Sequence, residues 1–158
     1  MAEADLAVSL DPNSAQAFLS QGFSRAFSGR PDEAITPLMT GMRLSPFDPS
    51  MPFFLHCLGR AYYWMSDYPA AIATARQLCR SFPNFQSAYR TLIAGLGQIA
   101  QVGEAQSVMA EALARFGEDF RTLMGPLGQP QWRTGPKTVS ICGRVTARPG
   151  CSTEQARR

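Results

Sequence analysis

Between Pro52 and Ser66, the apolar or small residues Leu55, Leu58, Gly59 and Tyr62 fall at i, i+3, i+4 and i+7, the spacing of one stripe on a helix. After a short break, which Ser66 or Asp67 can end by capping, Ala71, Ile72, Ala75, Leu78, Cys79 and Phe82 form a second stripe, stopped by Pro83 and Asn84. Two helices joined so briefly must lie antiparallel, each stripe covering the other. The pattern extends in both directions. Upstream, Ala4, Leu6, Ala7 and Leu10 predict a helix ended by Asp11 and Pro12, and Asn13 or Ser14 can cap another that runs to about Ser28, where Gly29 terminates it. Pro31 suits the first turn of the next, whose face is Ala34, Ile35, Leu38, Met39, Met42 and Leu44. Pro37 lies inside that helix and predicts a bend, because it removes a backbone hydrogen bond. Downstream, Asn84 or Gln86 opens a helix with Leu92, Ile93, Leu96 and Ile99, weakened by Gly95 and Gly97. Gly103 and Glu104 start a last full helix over Ala105 to Phe116, and Glu118 to Met124 predicts a short turn that caps the stack.

Pro12, Pro46 and Pro83 sit in similar phrases, SLDPN, LSPFDP and SFPNF. The first two prolines are 34 residues apart and the next two 37, the same period with a three-residue insertion near Ser50 to Pro52. Self-similarity at this period marks a helical repeat array. It divides residues 1–124 into a half unit at 1–14 and three units at 15–48, 52–85 and 86–119. Gly22 and Gly59, with Ala34, Ala71 and Ala105 on the partner helices, leave room for close helix approach while larger residues fill between. One pair cannot hide all its apolar surface, so each buries the remainder on the next, giving an all-α superhelix. The half unit lacks its first helix and leaves Leu6 and Leu10 on an open face, as at the trimmed end of a longer protein. From Gly125 periodicity disappears, and the Gly, Pro, Thr and Arg-rich stretch 125–158 predicts a disordered tail.

Aligned on those prolines, the chain resembles the tetratricopeptide repeat family. The unit at 52–85 supplies Leu55, Leu58, Gly59, Tyr62, Ala71, Ala75 and Pro83, with Leu78 at the second small position of its second helix. The unit at 15–48 supplies Phe18, Gly22, Gly29, Ala34, Leu38, Gly41 and Pro46, but has Gln21 and Arg25 where Leu and Tyr are usual. The third supplies Tyr89, Leu92, Leu96, Ala105, Met109 and Ala112, with Ile93 in the glycine place and Gly117 in the proline place. The resemblance implies a solenoid of antiparallel helix pairs that mediates protein–protein contacts. The wording PDEAITPLMTGMRLSPFDP and SFPNFQSAYRTLIAGLGQ is also similar to C-terminal repeat regions of bacterial class III adenylate cyclases and winged-helix transcriptional regulators. That similarity implies a regulatory segment of a signalling protein, without the cyclase's metal-binding residues or a recognition helix.

Charge changes the picture by position. The net +3 divides into 9 arginines against 11 acidic residues through Met124, and 6 basic against 1 acidic residue from Gly125 onward. A mildly acidic stack offers no electrostatic footprint for nucleic acid. Cys57, Cys79, Cys142 and Cys151 show no CxxC pairing and no ligand spacing with the single histidine, His56, so no metal and no cofactor is implied. Cys57 and Cys79 read as small buried hydrophobes in a reducing compartment. No apolar run approaches the roughly 20 residues that span a bilayer, and the N-terminus has no secretory signature, which makes a cytoplasmic location the default and membrane contact unexpected.

On the 52–66 helix, removing the pair-packing stripe leaves Phe53, His56, Arg60, Tyr63 and Trp64 on a second face. The corresponding positions are Gln16, Leu19, Phe23, Ala26 and Phe27 upstream, and Ser87, Arg90, Ala94, Gly97 and Gln98 downstream. The resemblance places this face in a concave groove that holds a partner protein or peptide segment. Phe23, Phe27, Phe53, His56, Arg60, Tyr63, Trp64 and Arg90 are the candidate contacts, with Arg60 and Arg90 pairing acidic groups and the rings as apolar anchors. The same residues also suit packing between helices, with solvated arginines. They do not reproduce the Lys-Asn-Lys-Arg carboxylate clamp of the chaperone-binding subgroup. Asp32, Glu33, Asp67 and Glu104 fall at helix starts, where the dipole favours them without chemistry. No catalytic motif occurs, so the chain reads as non-enzymatic; a cleft joining His56, Cys57 and an acid is the one catalytic alternative, and self-association through the open stack ends is the structural one.

Overall fold

The computed structural model describes residues 2–120. Its helices are α1 (Ala2–Leu10), α2 (Ala15–Phe27), α3 (Pro31–Leu44), α4 (Met51–Trp64), α5 (Tyr68–Ser81), α6 (Gln86–Gln98) and α7 (Val102–Phe116), and helix resumes at 118–120. No strand occurs among the described residues. The expected tail at 125–158 and the end of the expected capping turn, 121–124, lie outside them.

Local chemistry starts these helices much as the sequence implies. Ser14 Oγ accepts the Ala17 N–H at 3.2 Å and Asp67 Oδ1 the Ala70 N–H at 3.1 Å, so these two, rather than Asn13 and Ser66, are the side-chain caps. Pro31, Pro52 and Pro69 occupy first turns, where a missing N–H costs nothing. α7 begins at Val102, one residue before Gly103 and three before the expected Ala105.

The turn inside each helix pair repeats in geometry even where its residues differ. The Arg30 N–H donates to Arg25 O at 3.1 Å, Asp67 to Tyr62 O at 2.9 Å, and Gln101 to Leu96 O at 3.0 Å. The preceding residue is left-handed each time: Gly29 at φ +80°, Ser66 at φ 63° and Ala100 at φ 60°. Only the first of these is a glycine, so only the first is recognisable from sequence. An L-residue in that region costs about 1 kcal/mol or more, and glycine does not. Ala100→Gly is therefore expected to raise the urea midpoint, a gain of up to about 1 kcal/mol after glycine's own entropic cost.

Each helix packs on the next along the chain, and α2 also meets α4, and α4 meets α6, across the intervening helix. The second helices α3, α5 and α7 do not approach one another to that extent. Helices that crowd on one side and spread on the other bend the stack into a superhelix, with α2, α4 and α6 forming its inner wall.

Two apolar clusters meet in α4. Phe54, Cys57, Leu58 and Ala61 join Ala15, Leu19, Ala26, Ala34 and Leu38 toward the first unit. Leu55 joins Ile72, Ala75, Leu78, Tyr89, Leu92, Leu96 and Phe120 toward the third, and Met42 and Met51 pack on both clusters.

The small residues divide into two kinds. A Cβ on Gly22 would collide with Leu38 Cγ, one on Gly41 would lie 2.5 Å from Phe54 Cε1, and one on Gly95 would lie 2.8 Å from Ile72 Cγ1. Gly59 differs from the expectation of close approach: a Cβ there would sit 3.6 Å from Thr74 Cγ2 and 3.8 Å from Thr91 Cγ2, which is ordinary contact. Gly59→Ala should thus be tolerated and gain helix propensity, up to about 1 kcal/mol, whereas Gly41→Ala should lose stability by overpacking. Paired thermal melts distinguish them.

Pro37 leaves α3 unbroken, because its lost bond is replaced from outside. The carbonyl it orphans is Glu33 O, and Arg25 Nη1 of α2 donates to that oxygen at 3.3 Å. Arg25 also reaches Asp5 Oδ1 at 3.1 Å, and Gln21 Nε2 donates to the same oxygen at 2.8 Å, docking α1. α1 buries no residue fully; Ala4, Ala7 and Val8 are half-buried, while Leu6 and Leu10, expected on its packing stripe, are 56% and 77% exposed.

Candidate functional site

The inner wall collects the predicted contact residues, but not as one uniform stripe. Between α2 and α4, Phe23 stacks on Phe27 with centroids 4.4 Å apart, and Phe27 meets Trp64 edge-on at 5.1 Å. The Arg60 guanidinium lies over both, its carbon 4.7 Å from the Phe27 centroid and 4.5 Å from that of Trp64. One cation thus faces two ring quadrupoles, an arrangement that holds the charge at the wall rather than letting it sweep through solvent.

Between α4 and α6 the pattern changes. Phe53 and His56 both lie against Phe85, with centroids 5.5 Å apart in each case. Phe85 is the residue before α6 and also lines a cleft of about 400 Å³ with Pro52 and Ser81 to Asn84. Tyr63 accepts a hydrogen bond from Gln98 Nε2 at 3.1 Å and meets Tyr68 edge-on at 5.6 Å. Arg90 of α6 projects its charge onto both His56 and Arg60.

The equivalent positions Leu19, Ala26, Ala94 and Gly97 are buried between helices, so for them packing is the right reading. Phe23, Phe27 and Phe53 are exposed, and His56, Arg60, Tyr63, Trp64 and Arg90 are half-buried. Phe85 and Tyr68 belong to the wall and lie outside its helical register. Phe85 sits beside the Pro83 turn and Tyr68 begins α5, so no period along one helix points to either.

The wall is also electrostatically one-sided. α2, α4 and α6 carry Arg25, Arg60 and Arg90 and no acidic residue, although the described chain as a whole has more acids than arginines. Arg25 binds Asp5 and the Glu33 carbonyl, and Arg60 and Arg90 add two further cations to the wall. Burial, with Arg90 beside it, lowers the Arg60 pKa to about 10, which leaves it cationic at neutral pH. Burial, then Arg60 and Arg90, lower the His56 pKa to about 4, so its ring is neutral. Its Nδ1 is buried without a hydrogen-bond partner.

Burial pushes the Cys57 thiol up to about 11, and burial followed by Glu111 pushes Cys79 up to about 12, so both stay protonated. Cys57 packs in the α2–α3–α4 cluster, and no carboxylate is among the groups acting on His56. No group of metal-ligating side chains occurs among the described residues, and no described helix is long and apolar enough to cross a membrane. No protein-family model matches the chain, and no curated protein sequence matches it.

Proposed function

We propose that the chain is a non-enzymatic scaffold of the tetratricopeptide kind, holding a segment of a partner protein along the inner wall of α2, α4 and α6. The observation that carries this reading is the Phe23–Phe27–Arg60–Trp64 cluster, where exposed rings and a ring-held cation share one face. Aromatic and arginine side chains on a preordered surface are the usual centres of binding energy, since little rotamer freedom remains to be lost. The similarity of two phrases to repeat regions of bacterial cyclases and transcriptional regulators supports a signalling or regulatory setting, and the free thiols of Cys57 and Cys79 support a cytoplasmic one. The arginines of α2, α4 and α6, with no acidic residue on those helices, favour an acidic protein ligand.

Peptides selected from a random display library against the chain should share a consensus, and Trp64→Ala or Arg60→Ala should weaken its binding about 30-fold or more while helical circular dichroism is retained. Selected peptides that bind both variants as well as the parent would remove the wall from consideration.

A second reading, self-association through the stack end, is favoured by Leu6 and Leu10, which α1 leaves exposed. It calls for a sedimentation coefficient that rises with concentration and reverts on Leu6→Glu with Leu10→Glu. A concentration-independent monomer excludes it.

A further inference from the structure

We propose that a second copy of this chain docks along the loop edge of the stack, the Phe47 ring of each protomer entering the cleft of the other beside Phe85. The turns that join one helix pair to the next share this edge, and they differ in length. Those at 11–14 and 82–85 have four residues, whereas the one at 45–50 has six. Phe47 stands in that longer turn and is 98% exposed, more than any other large apolar side chain among the described residues. Its backbone is nonetheless held. The Asp48 N–H donates to Ser45 O at 3.2 Å, the Met51 N–H to Asp48 O at 2.9 Å and the Ser50 N–H to Asp48 Oδ1 at 2.7 Å, while Pro46 and Pro49 restrict the chain on either side. A ring held out in water by an ordered turn loses little backbone freedom on docking.

The receiving surface lies beside it. The cleft of about 400 Å³ is walled by Pro52, Ser81, Phe82, Pro83, Asn84 and Phe85, none of them charged. The exposed ring of Phe53 extends it by meeting Phe85 edge-on. A volume at the lower end of the range for binding pockets suits one ring, and aromatic walls favour an aromatic occupant.

Because Phe47 and Pro52 are five residues apart in sequence, ring and cleft lie within about 18 Å of each other. A twofold axis between them lets each copy give and receive at once, which closes the contact at two protomers. The adjoining charges have opposite signs: Asp48 follows Phe47, and Arg80 precedes Ser81 of the cleft, so docking brings an acid toward an arginine of the other copy. Two inserted rings of about 200 Å² each, with the walls that cover them, come to roughly 800 Å², short of a standard stable interface. Association is therefore weak, with half-dimerisation on the order of 100 µM. Phe53 and Trp64 stand 11 positions apart on α4, about 16 Å along the helix, so docking leaves the Phe27–Arg60–Trp64 end of the wall open and is independent of the groove reading.

The full chain is followed by sedimentation velocity and NMR from about 5 µM to about 1 mM, a range that brackets the expected midpoint. The single histidine, His56, reports on the cleft, since its ring centroid lies 5.5 Å from that of Phe85. The expected result is a sedimentation coefficient that rises to that of a dimer and no further, with the His56 signals moving in step. Phe47→Ser should raise the concentration of half-association about tenfold or more with helical circular dichroism retained, and so should Ser81→Trp, which fills the cleft and keeps the Phe47 ring. Mixed, these two variants can form one of the two contacts, so Ser81→Trp chains should shift the His56 signals of isotopically labelled Phe47→Ser chains.

A monomer at every concentration, growth beyond a dimer, or equal association of the parent and Phe47→Ser each overturns the proposal. Association that Leu6→Glu with Leu10→Glu abolishes, and Phe47→Ser does not, belongs to the stack end and overturns it as well.

Discussion

Phe54→Ala is expected to cost about 3–5 kcal/mol of unfolding free energy, the largest loss from any single truncation in the first two units. Phe54 is fully buried, and its ring occupies the space that Gly41 vacates on α3, where an added Cβ would also lie 3.1 Å from the carbonyl of Ala15 at the start of α2. Removing it deletes both the transferred apolar area and the filling of a site that rigid backbone surrounds. A chain of this size should lose on the order of 10 °C in melting temperature. The cost of Gly41→Ala, by contrast, comes from collision with that ring. It should therefore shrink or vanish in the Phe54→Ala background, a non-additivity that a double-mutant cycle measures directly. Additive effects would mean that the ring and the glycine do not share one space. Because each unit of a stack touches only its neighbours, amide exchange in α2 and α3 should accelerate more than in α7.

Loss of stability on mild acidification is expected next. His56 titrates at about 4 in the folded chain and near its ordinary 6.5 when unfolded. The unfolded state therefore takes up more protons between those values, and stability falls as pH drops. The contribution is intact above about pH 6.5, is lost progressively below it, and is gone by about pH 4. From the gap in pKa its full size is about 3 kcal/mol, to order of magnitude. His56→Gln should flatten urea midpoints measured from about pH 7 to about pH 5. A parent and variant that decline in parallel would assign the acid sensitivity elsewhere. Asp5 acts in a lower window. Its carboxyl is held below its ordinary value first by the Gln21 hydrogen bond, with Arg25 assisting, so its share is lost only as pH falls through that depressed value.

Much of the architecture is legible from the chain because phased prolines and small residues report directly on helix ends and close contacts. Leu38, Ala71, Ala75 and Leu92 are buried as their stripes imply. What escapes is whatever depends on partners distant in sequence. Arg25 looks like a departure from the repeat pattern, yet it satisfies the carbonyl that Pro37 orphans, so two apparent defects compensate. Ser66 and Ala100 adopt the conformation of Gly29 without its residue type, because the surrounding helices dictate the turn. Gly59 matches the family phrase while lacking the tight contact that motivates it.

The wall is legible in part for the same reason. A face on one helix groups Phe53, His56, Arg60, Tyr63 and Trp64, but burial depends on how the adjacent helices slide. Leu19 and Ala94 are consequently interior while Phe23 is exposed. Phe85 enters from a loop and leaves no periodic trace.

The three matching turns at Gly29, Ser66 and Ala100 carry an evolutionary consequence. Since every hairpin reverses direction through the same backbone path, duplicating or deleting one coding segment of this period would leave the neighbouring joints undisturbed. Each such event would change the inner wall by one helix, a fixed increment of about 10 Å at the usual interaxial spacing. The extent of that wall, in a molecule built this way, is set by copy number, and its chemistry by the few side chains that each copy presents.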